Sequence, residues 1–112
     1  MLTVFGSTAL DTIRTPDRVL KNVLGGAATF AGISASFFVN TGLIAVVGTD
    51  FPKKYHKILK KHLDLKGLAI HKGKTFRYDG SYDETLSTRT TNKTELNVLG
   101  SFQPVVPERY RK

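Results

Sequence analysis

The chain contains no cysteine, which removes disulfides, thiolate metal sites and cysteine nucleophiles together. The same absence fits a cytoplasmic protein and weakens Asn92-Lys93-Thr94 as a glycosylation sequon. No apolar run reaches the ~18 residues that cross a bilayer, so no membrane partner is expected. The N-terminus lacks the charged segment, apolar core and cleavage site of a signal peptide. Repeats and low-complexity tracts are missing too. So is the phosphate-cradling GxxxxGK[ST], and so is the GxSxG of esterases. A dinucleotide fingerprint needs GxGxxG directly after the first strand. Here Gly6 closes that strand and Gly25 comes only 19 residues later. His56, His62 and His71 have no accompanying carboxylate cluster, so no metal site is expected.

What is present is a globular composition: 112 residues, 40% hydrophobic and 23% charged, enough for one domain. The formal net charge of +8 is unevenly placed, with eight lysines between Lys53 and Lys74 and one acidic residue, Asp64, among them. A solvated helix face is the ordinary reading of such a run. A basic nucleic-acid-binding module is the alternative, and nucleic acid is not the expected partner because no aromatic residues interleave among the exposed lysines.

Along the chain, Leu2 to Phe5 is a short strand stopped by Gly6, and Arg18 to Leu24 is a further strand candidate. Small and apolar residues from Ala27 to Val39 predict a buried helix, with Gly42 suited to its left-handed C-terminal position. Leu43 to Val47 reads as a strand covered on both faces. Asp50 offers an N-cap to a second helix, in which Phe51, Tyr55, Ile58, Leu59 and Leu63 share one side. Gly67 separates that helix from a strand at Leu68 to Ile70. The order predicts an α/β fold, a partial doubly wound parallel sheet of Rossmann-like type. Thr75 to Tyr82 reads as a hairpin around an Asp79-Gly80 turn, and Leu96 to Leu99 as another strand. Two helices are few for the faces of such a sheet, so self-association through an exposed edge is expected.

Two features could carry chemistry. Asp11 lies just beyond the first strand, on the side where open α/β sheets bind ligands, and its carboxylate could accept hydrogen bonds from hydroxyl groups. A turn or cap aspartate is the alternative. Gly25-Gly26 opens a helix with backbone N–H groups unshielded by side chains, and a ligand could approach there. A tight packing corner, in a turn no other residue can make, is the leading reading of the pair.

In order and spacing, "VFGSTALD", "GGAATFA", "AVVGTDF", "GKTFRYDGSYDE" and "TELNVL" resemble the N-terminal half of the ribokinase-like (PfkB) family of carbohydrate and nucleoside kinases, along essentially the whole chain. The resemblance implies a ribokinase-like α/β core with a small β lid, its strands falling within 12–24 and 74–99, and residues 1–112 forming the substrate-binding part of one kinase domain. It implies transfer of the γ-phosphate of ATP, with Mg2+, to a sugar or nucleoside hydroxyl. Asp11 would bind substrate hydroxyls, Gly25 and Gly26 would line the substrate floor, and Phe76 and Arg77 would fall on the lid. Thr29 stands where many members carry asparagine. The family's Gly-x-Gly-Asp motif, with its catalytic base and anion hole, is not in this sequence. The chain is therefore expected to be an N-terminal fragment that binds substrate but carries no catalytic residue and binds neither ATP nor Mg2+ alone. A homo-oligomer joined through the lid or a sheet edge is expected, and a non-catalytic oligomerising domain is a further alternative.

Overall fold

The computed structural model describes residues 1–111. Its first sheet is parallel and has the order β1 (Leu2–Phe5), β4 (Thr41–Gly48), β5 (Asp64–His71). Two helices, α1 (Ala27–Ser36) and α2 (Lys53–His62), provide its crossovers. The second sheet has four strands in the order β3 (Val19–Gly25), β2 (Ala9–Arg14), β6 (Phe76–Tyr82), β7 (Arg89–Glu95). Its central pair, β2 with β6, is parallel, while both outer pairings are antiparallel. Connectivity explains the mixture. Strand β2 follows β1 after three residues, and β6 follows β5 after four, so both leave the carboxyl edge of the core in the same direction. Each then turns back once, into β3 and β7.

Every residue of β4 is buried. On one face Leu43 and Ala45 join Ala28 of α1, Leu59 of α2 and Leu63 in a single apolar cluster. The helix expected to be apolar all round buries only Ala28, Thr29 and Gly32, while Phe30 is 61% and Phe38 91% exposed. It ends at Ser36, whose hydroxyl donates to Ile33 O (2.6 Å). Small side chains let α1 lie close to its neighbours. A Cβ on Gly32 would stand 3.3 Å from the Leu63 methyl groups. The α2 lysines at 53, 54, 57, 60 and 61 are solvent-exposed.

No α-helix among the described residues covers the opposite face of β4. The C-terminal segment covers it, and its anchor is Tyr110, 6% exposed. The ring packs where a Cβ on Gly42 would lie, 2.6 Å from Cζ. Gly42 and Gly67 therefore belong inside β4 and β5 rather than at helix ends, which corrects the sequence expectation for both. The Tyr110 hydroxyl donates to Asp64 O (2.7 Å) or Asp64 Oδ1 (2.8 Å) and accepts from Gly67 N–H (3.1 Å).

Two further expectations are corrected. Asp79-Gly80 is not a turn but lies inside the continuous strand β6. Arg14 holds the Asp79 carboxylate through two 2.9 Å bonds, and Asn92 Nδ2 donates to it at 3.0 Å, so extended backbone is favoured over a turn. That pairing, with the Arg14 hydrogen bond foremost, pushes the Asp79 carboxyl down to about 2. The reversal comes later, where Asp83 Oδ1 accepts from Ser87 N–H (3.0 Å) and Leu86 takes φ +58°. Residues 96–99 form no strand, because the chain curls into a 3-10 turn at Asn97–Ser101. Asn97, at φ +51°, directs its amide to Thr75 O (2.9 Å), and Val98 N–H bonds Lys74 O (3.0 Å).

Tyr110→Phe leaves the half-buried Gly67 N–H without its partner and is expected to cost about 1–2 kcal/mol. Tyr110→Ala uncovers β4 and is expected to cost about 3–5 kcal/mol. Urea denaturation of both variants checks the order; a Tyr110→Phe midpoint equal to wild type would show that the hydroxyl contributes nothing, and equal losses in both variants that the ring does not.

Candidate substrate cleft

Between α1 and the inner face of the four-stranded sheet lies a cleft of about 380 Å³, within the usual range for small-molecule sites. Residues of β2 and β6 line it: Ala9, Asp11 and Ile13 from the first, joined by Thr12 at the register shift, and alternate residues Phe76, Tyr78, Gly80 and Tyr82 from the second. Phe30 of α1 and Arg89 of β7 close its sides. This is the period-2 consequence of two parallel strands in register, with Ala9 opposite Phe76 and Asp11 opposite Tyr78.

Asp11 is the acidic side chain of this lining. The β2–β3 register shifts between Asp11 and Ile13, and such an irregularity re-aims the side chains beside it. Gly25 makes the room. A Cβ there would stand 2.0 Å from Asp11 Oδ2, so the carboxylate occupies the space that any other residue would fill. Oδ1 of Asp11 is buried and has no hydrogen-bond partner among the described residues. Burial raises its carboxyl above the ordinary value of 3.8.

The N–H groups after the glycine pair are already used. Ala27 N–H donates to Ser7 Oγ (3.0 Å) and Ala28 N–H to Ser7 O (2.9 Å). Gly26 adopts φ +101°, and a Cβ on it would stand 2.4 Å from Ser7 O. The pair is thus a close-approach corner that seats Asp11 and lets Ser7 cap the helix. Gly26 itself lines the cleft.

The remaining candidates are divided. Phe76 faces the cleft. Thr29 lies beneath it, 1% exposed, and donates to Thr8 Oγ1 (3.2 Å). Arg77 is outside the cleft lining, bonded through Nη2 to Asp50 Oδ2 (2.9 Å) and through Nη1 to Asn22 Oδ1 (2.6 Å). Asp50, expected as a helix N-cap, instead accepts from Thr75 N–H (2.9 Å) and Thr75 Oγ1 (2.7 Å). Its burial pushes the carboxyl up, but the bonds from Thr75 and Arg77 outweigh that and lower it. Thr75 Oγ1 in turn accepts from Gly48 N–H (2.9 Å), which ties the second sheet to the end of β4. Tyr78, Tyr82, Phe30 and Arg89 were missed from sequence. The aromatic alternation 76-78-82 would have revealed two of them, had the Asp-Gly pair not suggested a turn.

This geometry places a carboxylate and an aromatic-lined cleft at the carboxyl edge of a parallel sheet, under a small β sheet. No family model matches the chain. It is 34% identical over 111 residues to a cytidine kinase of Thermococcus kodakarensis, covering 97% of this chain and 39% of that protein. The solved nucleoside kinase of Methanocaldococcus jannaschii, an archaeal member of the ribokinase family, superposes with a TM-score of 0.67 at 23% identity, over 86% of this chain and 36% of that one. The nucleoside kinase of Burkholderia thailandensis, solved with inosine, gives 0.78 at 12% identity, over 90% and 38%. The resemblance to the N-terminal portion of this family is thereby borne out, and the chain spans well under half the length of these relatives. No helix among the described residues is long and apolar enough to cross a membrane.

Two outcomes are expected. Because the Asp11 carboxyl is raised, ionising it costs the fold stability as pH rises through its folded value, and the cost is absent below the ordinary carboxylate range. Asp11→Asn should therefore raise the thermal midpoint at pH 7 and change it little at pH 3. Asp50→Ala removes the partner of Arg77 and Thr75. Amide exchange across 76–95 should accelerate about 5-fold or more, while that of β4 changes little. Unchanged exchange would show that the tie does not order the second sheet.

Proposed function

We propose that the chain is the substrate-binding part of an ATP-dependent kinase acting on a nucleoside hydroxyl. The observation that carries this reading is an aspartate in the lining of an aromatic-lined cleft, Asp11, whose Oδ1 is buried and has no partner among the described residues. Vicinal hydroxyls of a ribose would supply the missing donors, and a hydrogen bond to a charged acceptor is worth about 1.5–3 kcal/mol. Phe30 and Phe76 offer apolar surface to a base, which a simple sugar would leave bare. The names of the relatives, cytidine kinase and nucleoside kinase, support the same choice. Gly25 and Gly26 act by shaping the corner that seats Asp11. Thr29 acts from below by holding Thr8, and Arg77 by holding the lid.

On this reading the phosphoryl end of the reaction, with its ATP, Mg2+ and catalytic base, is taken to lie outside these residues. The first N–H groups of α1 belong to Ser7. The need for ATP argues for a cytoplasmic protein. Association through the free edges of the lid belongs to the same reading, and light scattering reports it.

Calorimetric titration of the chain with cytidine, inosine and ribose is the direct test. Nucleosides should bind more tightly than ribose, and Asp11→Asn should weaken them at least about 10-fold. Expressed with its downstream coding sequence, the protein should release ADP from ATP when given a nucleoside. No turnover across a panel of nucleosides and sugars would sink the proposal.

A further inference from the structure

Arg89 is the cation in the lining of the cleft. Arg14, Arg77, Arg109 and Arg111 each pair with a carboxylate, whereas Arg89 enters none of the ion pairs among the described residues. It stands at the start of β7, opposite Tyr82. Its guanidinium nevertheless reaches back over the ring of Tyr78, 5.4 Å from the centroid. Tyr78 is the residue paired with Asp11 across β2 and β6. One anion and one unpaired cation are thus set on either side of the same aromatic surface.

We propose that Arg89 selects the base of the nucleoside by presenting its forked N–H pair to two adjacent acceptors. The inference rests on the nucleoside reading above, in which Asp11 holds the ribose. With the sugar there, the base lies along the aromatic wall and its edge meets the guanidinium. A guanidinium donates only, through parallel N–H groups. Cytosine offers O2 and N3 side by side as acceptors, and hypoxanthine and guanine offer O6 and N7. Uracil carries a proton on N3, and adenine sets an amino group beside each of N1 and N7, so in both a donor would face a donor. The selection is therefore for cytidine among pyrimidine nucleosides and for oxo-purine over adenine nucleosides. Lysine would keep the charge and lose the fork.

The test is calorimetric titration of the whole chain with cytidine, uridine, inosine and adenosine, for wild type, Arg89→Lys, Arg89→Met and Asp11→Asn. Arg89 is exposed, so its variants are expected to keep the wild-type circular dichroism. Wild type should bind cytidine and inosine about 10-fold more tightly than uridine and adenosine, the discrimination typical of a bidentate base contact. Both Arg89 variants should bring the four within about 3-fold of one another. Asp11→Asn should weaken all four alike and leave their ratios intact. If all four bind with equal affinity, or if the preference survives in Arg89→Met, the role of Arg89 is overturned and the nucleoside reading stands. If none of the four binds, both are overturned.

Discussion

The carboxylate of Asp11 sits in space that exists only because Gly25 has no side chain, and much of the cleft depends on that one contact. The glycine is the last residue of β3, directly before the corner that starts α1. Any Cβ there would push Asp11 away or move β3 from β2. The next residue, at φ +101°, turns the chain so that Ser7 caps the helix. One steric vacancy and one backbone conformation fix the carboxylate, the helix start and the loop after β1 relative to one another. Having no internal partner, the carboxylate keeps its accepting capacity for another molecule, at a cost in stability that rises with pH.

The second sheet is an outgrowth of the first. Strands β2 and β6 prolong the path of β1 and β5 beyond the carboxyl edge of the core, which is why the middle of an otherwise antiparallel sheet is parallel. The inner face of that middle pair becomes the cleft wall. Off the cleft, Arg14 meets Asp79, and Arg77 meets Asp50. Cleft lining and attachment are thereby divided between opposite faces of the same strands.

Much of the core was legible in the sequence because burial on both faces leaves an unbroken apolar run. That run is plain from Leu43 to Val47, and the apolar spacing of α2 at Tyr55, Leu59 and Leu63 is equally so. Asp11 could be singled out by its place after the first strand. Long-range pairing was not readable. Asp79-Gly80 has the local chemistry of a turn, and only Arg14, distant in sequence, keeps it extended. The small and apolar residues from Ala27 to Val39 suggested burial all round, yet the small ones do the packing and Phe30 lines the cleft. Gly42 and Gly67 looked like helix punctuation because nothing nearby announces the tyrosine ring that excludes their side chains.

That tyrosine also sets an order of events in synthesis. Tyr110 contacts Gly67 across 43 positions and Asp64 across 46, so its closure comes after both strands it covers have been made. During translation, the α1 and α2 side of β4 can be packed as soon as residue 63 emerges, while the reverse side stays wet until the ring arrives. A nascent chain halted before that point would hold a half-dry sheet, with its apolar strand open to chaperones and to other copies of itself.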